Sequence, residues 1–490
     1  MTLLLSFGTH SSFGQGPILF PPSIAILDLE HSALFRSLEP IALRARTFAS
    51  GHVLTEVRFL DGTNLLGTAQ QVSSNEYVLN WRPSRQGNYA VQAEASYIKP
   101  LGQGRGVASS GVIRISVHRN APSYSLVELT GASTNDFFAP RQVTDHGSIV
   151  GAVTNTAARW QRWSVQTWDV FGQPSVAVGE STDGVIAGNF QNQPFVIYPG
   201  AAPEHLSGFS FVGGANAVSR AGIVGTGSQY FGDCCRQGFL IEAGVMTLIG
   251  QGARCEIKDI NDDGLAVGSH TTHPQNAVPI MYKAGEMTVL PGGEGAANSV
   301  NNRGQVVGTV AGEAFAYEDG QMSLLGRLGR RPTPVDNNES GQAVGHYNAD
   351  ADGRVSFEPF RACLFLDGAA IDLNHLIPTN PRVSLHYAIS INRQGWIVGW
   401  GRRPGDFFGI GENYRGFLLV PGPMLRLDRV TGFTLEGRIY SGFGRAVLEC
   451  SSNGSPWMPV VTNQPGMEVF QFSIPRQPGD GSVLYRAVQR

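Results

Sequence analysis

Three tryptophans in a short stretch of the chain are the side chains best suited to bind a ligand. Trp160, Trp163 and Trp168 lie close together in the sequence, beside Arg159 and Arg162. An exposed indole offers a flat face that stacks on a sugar ring or contacts a protein partner. The alternative is that the same rings pack inside the protein, where replacement by alanine would leave a cavity. We take these tryptophans as candidate ligand-binding residues and leave the packing alternative open.

Metal ligands are the next possibility. Residues 259–264 place carboxyl or amide groups at 259, 261 and 263, as the opening of a calcium loop does, but no carboxylate follows at 265–270. A plain turn, in which an asparagine caps its own backbone, is the other interpretation. His270 and His273 have a His-x-x-His spacing without a third ligand in register. We predict no metal site and no cofactor.

Catalytic groups lack a recognisable arrangement. Hydrolysis of a glycosidic bond usually needs two carboxylates at a set separation, and no spacing in this chain singles out such a pair. The glycine-rich phrases described next open strands rather than helices, so they are not phosphate loops. With a net charge of -3 and no basic run, the chain also lacks the electrostatic footprint of a nucleic-acid or anionic-membrane partner. We predict a protein that is not an enzyme.

A short phrase recurs seven times and defines the elements that must position these side chains. Each copy has a polar cluster, a glycine, a short apolar run and a closing glycine. Asn or Asp before Gly favours a turn, and the apolar run is too short for a helix, so each copy predicts a turn that leads into a buried strand. The copies recur at intervals of 37 to 54 residues and are 143–151, 181–188, 218–225, 260–268, 300–308, 337–345 and 391–399.

The segments between the phrases also repeat. They contain two short apolar strands around a glycine turn, as in 238–250, 279–291, 314–326 and 416–425. Each unit therefore has about four strands, which predicts a β-propeller of about seven units over residues 119–425. These residues resemble the HAF extracellular repeat of bacteria, whose members carry Ile-Asn-x-x-Gly-x-Val-Val-Gly, a later Ala-Phe-x-Tyr and a Gly-x-Met-x-x-Leu-Gly. The resemblance covers residues 124–425 and implies an exported protein without an established activity.

Two further β-regions flank the repeats. Residues 17–118 alternate apolar and polar positions between turn residues, as a small antiparallel sandwich does. Within them the string 57–67, then Trp81 and 87–89, resembles bacterial Ig-like domains. Residues 426–490 add about five short strands, and we expect this small C-terminal β-domain to dock against a neighbour because its own core is marginal. The predicted fold class is all-β: an Ig-like β-sandwich, a β-propeller and a C-terminal β-domain.

The amino terminus and the cysteines bear on location. Residues 1–16 contain a short apolar run without a basic start, and we interpret them as a leader or a truncated signal peptide. No segment has the roughly 18 consecutive apolar residues of a membrane span. In an oxidising compartment Cys255 is expected to pair with Cys234 or Cys235; buried or merely tolerated thiols are the alternative.

The function that these features favour is binding. We predict an exported extracellular or cell-surface protein that binds a protein or carbohydrate ligand, with a propeller-type polysaccharide hydrolase or lyase as the alternative. A pocket of acidic residues with Arg or Tyr at one mouth of the propeller would favour the enzyme, and a flat aromatic surface would favour binding. Residues 123–129 have the character of a blade strand, and we expect them to pair with 416–425 because such pairing removes exposed edges.

Overall fold

The computed structural model describes most of the chain. The described residues are 21–49, 51–99, 104–131, 136–206, 212–228, 236–250, 254–271, 276–349, 360–377, 383–403, 414–431, 434–440, 446–463, 469–475 and 483–489. The predicted leader, Cys234, Cys235 and His273 lie outside them. Within these ranges the regular structure is β-strand, apart from one short 3-10 helix, Leu373–His375. No helix of the described residues is long and apolar enough to cross a membrane.

The chain divides into two compact units. The first takes in residues 1–30, 39–83 and 89–113, and the second takes in 31–38, 84–88 and 114–490. The first ten strands are β1 Ser23–Leu27, β2 Leu34–Phe35, β3 Ile41–Phe48, β4 Val53–Asp61, β5 Asn64–Thr68, β6 Gln70–Gln71, β7 Glu76–Trp81, β8 Gly87–Ile98, β9 Arg105–Ser109 and β10 Ile113–Val117.

The first unit contains two antiparallel sheets. One has the order β1-β3-β7-β6, and in the other β4 pairs with β5 and β8, and β8 pairs with β9. Along β3 and β8 buried and more exposed positions alternate, because successive side chains of a strand point to opposite faces. Trp81 and Tyr89, both buried, meet edge to face with ring centroids 4.8 Å apart. The alternation agrees with the all-β expectation for this region.

The second unit contains seven four-stranded antiparallel sheets among its described residues. Sheets 1 to 3 consist of β12 Phe138–Val143, β13 Ile149–Val153, β14 Thr156–Gln161 and β15 Ser164–Thr167; β16 Ser175–Glu180, β17 Ile186–Phe190, β18 Gln193–Ile197 and β19 Glu204–His205; and β20 Val212–Ser219, β21 Gly222–Ser228, β22 Gln237–Glu242 and β23 Val245–Ile249.

The remaining four sheets follow the same plan. Sheets 4 to 7 consist of β24 Arg254–Ile260, β25 Ala266–Thr271, β26 Ala277–Lys283 and β27 Glu286–Val289; β28 Gly295–Val300, β29 Val306–Val310, β30 Glu313–Glu318 and β31 Gln321–Leu324; β32 Arg330–Asn337, β33 Ala343–Asn348, β34 Phe360–Leu366 and β35 Ala369–Asp372; and β36 Ser384–Ile391, β37 Ile397–Arg402, β38 Arg415–Pro421 and β11 Tyr124–Leu129.

Sheet 7 joins the two ends of the repeat region. Its outer strand β11 pairs antiparallel with β38, with Tyr124 opposite Pro421 and Leu129 opposite Gly416. This is the pairing expected from the sequence, and the structure confirms it. The edge that β38 would otherwise expose is covered by a strand from the start of the repeats.

Neighbouring sheets contact one another through their first strands and their apolar faces. The first strands touch in the order β12, β16, β20, β24, β28, β32 and β36, and β36 also contacts β12. The apolar core is divided into clusters, each of which combines residues from two neighbouring sheets. A strand of this kind is covered on both faces, which explains why the apolar runs in the phrases do not alternate.

The C-terminal residues form two three-stranded sheets that pack on the repeats. Their strands are β39 Met424–Val430, β40 Thr434–Tyr440, β41 Ala446–Ser451, β42 Met458–Thr462, β43 Val469–Pro475 and β44 Leu484–Gln489, in the orders β39-β40-β43 and β42-β41-β44. Tyr440 belongs to the apolar cluster between sheets 7 and 1. The Ser125 hydroxyl donates to the Tyr440 carbonyl oxygen at 2.9 Å. The expected docking of this region is confirmed.

Candidate functional site

The polar cluster of each phrase forms the predicted turn. In copy four the Asn261 side-chain oxygen accepts the backbone N–H groups of Asp263 and Leu265, at 3.1 and 3.0 Å. Gly264 follows with φ of +77°, a conformation that glycine adopts without steric cost. The side chain thus caps its own turn, as the plain-turn interpretation predicted.

The asparagines of copies four to seven also connect neighbouring sheets, from sheet 4 through sheet 7 to sheet 1. The amide nitrogen of Asn261 donates to the Asn301 carbonyl oxygen at 3.0 Å, and Asn301 donates to the Asn338 carbonyl oxygen at 2.9 Å. Asn338 donates to the Asn392 carbonyl oxygen, and Asn392 donates to that of Thr144, both at 2.9 Å. The last bond connects the seventh copy of the phrase to the first. All four asparagines are buried, and each uses both its side-chain oxygen and its amide nitrogen in hydrogen bonds to the protein.

The closing glycines are required by a close approach of two strands. A Cβ atom added to any of them would overlap a backbone carbonyl oxygen of the preceding strand. The seven glycines are Gly151, Gly188, Gly225, Gly268, Gly308, Gly345 and Gly399. Each therefore holds a position that no other residue fits without moving the backbone.

Opposite each closing glycine the first strand of the sheet contains a β-bulge. The register between first and second strand shifts by one residue immediately after the partner of the glycine, in all seven sheets. The extra residues are Arg141, Val178, Asn216, Lys258, Asn298, Val335 and Ile389. Bulges re-aim side chains, and here all seven extra residues border one cavity.

Two cavities lie along the first strands. The turn-side cavity, of about 660 Å³, is bordered by the phrase turns and by side chains of sheets 1 and 2. The bulge-side cavity, of about 680 Å³, is bordered by the bulge residues and by the residue that follows each of them. The residues that border both cavities are Gln142, Val218, Asp259, Asp336 and Ser390. Two carboxyl groups therefore lie where the cavities meet.

Asp259 and Asp336 are joined through one hydroxyl group. Ser299 Oγ lies 2.7 Å from Asp259 Oδ2 and 3.0 Å from Asp336 Oδ1. Asp259 Oδ2 also accepts the backbone N–H of Val300 at 2.9 Å, and Asp336 Oδ2 accepts that of Ile391 at 2.8 Å. Each carboxyl group thus binds a backbone group of the following sheet, which indicates a structural role in linking the sheets.

Burial changes the acidity of both carboxyl groups. Loss of hydration raises the pKa of Asp336 to about 6, and the negative charge of Asp259 acts in the same direction. The pKa of Asp259 is also raised by burial, although hydrogen bonds from Val300, Ser299 and Ile260 oppose this rise. Two neighbouring carboxyl groups with raised pKa values resist simultaneous ionisation. A proton is therefore held at this position well above the pH at which a surface aspartate releases it.

The carboxylates around the turn-side cavity all have partners. Glu180 accepts from the Ser148 hydroxyl at 2.5 Å and from Arg159 at 3.1 Å. Asp145 accepts the backbone N–H of Arg393 at 2.8 Å. The other five carboxylates on this cavity, likewise bound to hydroxyl, amide, backbone or guanidinium groups, are Asp183, Asp259, Asp262, Asp336 and Glu339.

The candidate metal ligands do not converge. Asp259 points to Ser299, whereas the Asn261 oxygen is occupied by two backbone N–H groups. His270 lies on β25 opposite Cys255. Burial raises the pKa of the Cys255 thiol to about 11, which disfavours the thiolate form that binds metals. Within the described ranges no three His, Cys, Asp or Glu side chains are grouped as metal ligands. The disulfide predicted for Cys255 involves Cys234 or Cys235, which lie outside the described residues.

Trp160 and Trp163 lie in a packed region. Trp160 is only 5% exposed and belongs to the apolar cluster between sheets 7 and 1. Trp163 meets it edge to face at 5.4 Å and stacks on Tyr440 at 5.1 Å, with the Arg426 guanidinium 4.4 Å from its ring centroid. Trp160 thus follows the packing alternative. Ligand binding by Trp163 stays a prediction.

Trp168 lies apart from the other two tryptophans. It borders the turn-side cavity together with Arg159, whose guanidinium lies 5.7 Å from its ring centroid. Tyr198, which is 48% exposed, borders the same cavity. The structure therefore does not bring the three candidate tryptophans onto one face, and only Trp168 of the three borders this cavity.

Sequence reasoning considered Asp259 only as a possible metal ligand and missed Asp336, although both border the two cavities. Their signal is a polar residue two positions before the capping asparagine: Asp259 before Asn261, and Asp336 before Asn338. Copies five and seven have serine at the same position. In copies four to seven the repeated phrase begins one residue after this position, so the polar residue lies outside the phrase.

Comparison with known proteins gives only distant structural similarity. No family model matches the chain, and no curated protein matches it. Fibronectin(III)-like modules of Clostridium thermocellum CbhA have 10% identity and a TM-score of 0.17, over 37% of this chain and 88% of that chain. Bacteroides ovatus SGBP-B, solved with a mixed-linkage heptasaccharide, has 10% identity and a TM-score of 0.15, over 95% and 97%. TM-scores this low carry no argument about function.

Proposed function

We propose that this chain is an exported, non-enzymatic binding protein that holds a carbohydrate in the turn-side cavity. The observation that carries the proposal is the composition of that cavity: an indole and a phenol ring beside carboxylate, amide and guanidinium groups. A sugar ring presents an apolar face for stacking and hydroxyl groups for hydrogen bonds, and this combination matches both. Trp168 and Tyr198 supply the rings, and Arg159, Glu180 and Asn302 supply polar groups.

The proposed architecture is a seven-bladed β-propeller of the HAF type, with the turn-side cavity at one mouth. Three observations support it: seven four-stranded sheets, contact between first strands from β12 round to β36, and the hydrogen bond from Asn392 to Thr144. In a propeller, loops from every blade meet at the mouth, so one ligand can contact several repeats. That arrangement suits a binding surface and agrees with an extracellular location.

A polysaccharide hydrolase or lyase is the second candidate. The turn-side cavity gathers acidic residues with Arg159, Arg393 and Tyr198, the residue types expected of an enzyme. Asp259 and Asp336 add a pair of carboxyl groups with raised pKa values. Binding is preferred because Asp259 and Asp336 are engaged by backbone N–H groups of the next sheet, which leaves them poorly placed to exchange protons with a substrate.

A glycan-array screen with matched tryptophan variants tests the binding proposal. We expect the wild-type protein to bind a defined set of glycans and Trp168→Ala to bind them about fivefold less tightly, since one stacked ring contributes roughly 1 kcal/mol. Trp457→Ala is the control, because Trp457 is also half-buried beside an arginine, with Arg486 4.2 Å from its ring centroid, but lies in the C-terminal region. Its binding should equal that of the wild type.

The other outcomes separate the alternatives. Equal loss of binding in both variants would point to general destabilisation and would contradict the proposed site. An array without any bound glycan would refute the carbohydrate ligand and leave a protein ligand as the alternative. Cleavage of a bound polysaccharide by the wild type, and its loss in Asp336→Asn, would establish the enzyme instead.

A further inference from the structure

Three cationic side chains border the bulge-side cavity, on the opposite side of Asp259 and Asp336 from the turns. They are Arg141, Arg236 and Lys258, and two of them are bulge residues, on sheets 1 and 4. The sequence does not show this grouping, since the three residues are far apart along a chain whose net charge is -3. The repeated bulge places Arg141 and Lys258 on the wall of one cavity.

Arg141 and Lys258 keep N–H groups that are available to a ligand. The Arg141 guanidinium packs against the Trp400 ring, 5.5 Å from its centroid, and within the described residues no carboxylate lies within ion-pair distance of it. Lys258 Nζ donates to Asn298 Oδ1 at 2.8 Å, which leaves two of its three N–H groups for another acceptor. Burial lowers the pKa of Lys258, although the nearby negative charge of Glu256 opposes this change. Arg141 is exposed at the cavity wall, so its guanidinium can reach a bound anion.

The carboxylates on the same cavity are already engaged. Glu256 pairs with Arg254 at 2.8 Å. Asp259 and Asp336 accept backbone N–H groups and share the Ser299 hydroxyl. The hydrogen bonds of these carboxyl groups thus go to other partners than Arg141 and Lys258.

The remaining wall combines apolar side chains with neutral amide and hydroxyl groups. Val178, Val335 and Ile389 are the bulge residues of sheets 2, 6 and 7, and they border the cavity together with Ala217. A cavity with cations on one part of its wall and aliphatic side chains on another favours a ligand with one charged and one less polar part. Arginine binds a planar carboxylate or a sulfate through two parallel N–H groups, and lysine adds a point charge.

We propose that the bulge-side cavity binds a small organic anion, whose carboxylate or sulfate group is held by Arg141 and Lys258. The site is separate from the proposed carbohydrate site, and it is formed by different side chains. Its failure would therefore leave the carbohydrate proposal standing, and the reverse is also true.

Isothermal titration calorimetry of the full chain tests this site with three probes. Glucuronate combines a carboxylate with a sugar ring, sodium sulfate supplies the charge alone, and glucose supplies the ring without the charge. We expect glucuronate to bind and glucose not to bind in this cavity. Binding of sulfate as well would show that the oxyanion alone is recognised, and binding of glucuronate only would show that the organic part contributes.

Variants locate the anion and separate binding from folding. Arg141→Gln should weaken glucuronate binding about tenfold or more, as loss of a hydrogen bond to a charged group does. Arg141→Lys should restore part of that binding. Arg330→Gln is the control, because Arg330 is exposed and borders neither cavity. Trp168→Ala, directed at the other cavity, should leave glucuronate binding here unchanged.

Melting temperatures of the unliganded variants provide the second readout. Since Arg141 is exposed and forms no ion pair with the described residues, Arg141→Gln should leave the melting temperature nearly unchanged, whereas a purely structural arginine would lower it. Lys258→Met gives an independent check of the binding loss. The proposal is overturned if neither glucuronate nor sulfate binds the wild type, if glucose binds Trp168→Ala as tightly as glucuronate does, or if Arg141→Gln and Lys258→Met both bind glucuronate like the wild type.

Discussion

Replacing Asp336 with asparagine should change how the stability of the protein depends on pH. Burial and the charge of Asp259 raise the pKa of Asp336 from 3.8 to about 6. Between these two values the folded protein holds a proton that the unfolded chain has released, so the free energy of unfolding falls as the pH rises. The stabilisation is complete below the unfolded pKa and is lost as the pH passes about 6. One pKa unit corresponds to 1.36 kcal/mol, which gives about 3 kcal/mol in total.

Denaturation in urea, followed by tryptophan fluorescence across this pH window, measures the effect. The asparagine variant cannot titrate at this position, so comparison with the wild type removes the contribution of the groups that do not interact with Asp336. We expect the difference in unfolding free energy between the two proteins to shift by about 3 kcal/mol in favour of the wild type at the acidic end of the window. Asp319→Asn, at an exposed hairpin turn, is the control for loss of a surface carboxylate.

A second variant tests the coupling between the two carboxyl groups. Asp259→Asn removes the negative charge that raises the pKa of Asp336, so the pKa of Asp336 should be lower in this variant than in the wild type. The fall in stability with rising pH should therefore be complete at a lower pH in the variant. The unfolding free energies of the wild type and Asp336→Asn could differ by the same amount at both ends of this pH range. In that case Asp336 does not hold the extra proton in the folded protein, and the reasoning is refuted.

Three further changes probe the contacts between elements. Asn301→Ala removes the cap of two backbone N–H groups and the bond to the Asn338 carbonyl, and should cost about 2 to 3 kcal/mol in urea unfolding. Asn302→Ala should cost less, because the two hydrogen bonds of Asn302 with Asp262 are exposed to solvent. Trp163→Ala should cost about 3 kcal/mol and speed proteolytic removal of the C-terminal strands, because the ring stacks on Tyr440; an unchanged melting temperature would contradict this packing role. Gly308→Ala should fail to fold or melt far below the wild type, since its Cβ would overlap the carbonyl oxygen of the neighbouring strand; a normal melting temperature would refute the need for glycine there.

The elements of the repeats could be predicted because their signals are local. An asparagine or aspartate, a glycine and a run of Val, Ile and Ala define a turn and a buried strand within a few residues. The pairing of β11 with β38 was also predicted, since a strand-like segment before the first phrase can cover the exposed edge of the last unit. These inferences need only the order of residues.

The candidate site depends on contacts that no single segment shows. Asp259 and Asp336 meet only because sheets 4, 5 and 6 are neighbours, and Ser299 lies between them. The closing glycine of each phrase was visible in the sequence, but its reason, a bulge on another strand, was not. The tryptophans were misleading as a group because closeness along the chain does not place side chains on one face: Trp160 is buried, whereas Trp168 borders a cavity.

The pairing of β11 with β38 has a consequence for the order of folding. The two strands belong to opposite ends of the repeat region, so sheet 7 stays incomplete until nearly all of that region has been synthesised. Until then β11 is an unpaired strand, and unpaired strand edges are prone to associate with other chains. Contacts between distant parts of a sequence also slow folding, because the loop between them must close first. We therefore expect closure of sheet 7 to be a late step, and chains truncated before β38 to aggregate during synthesis.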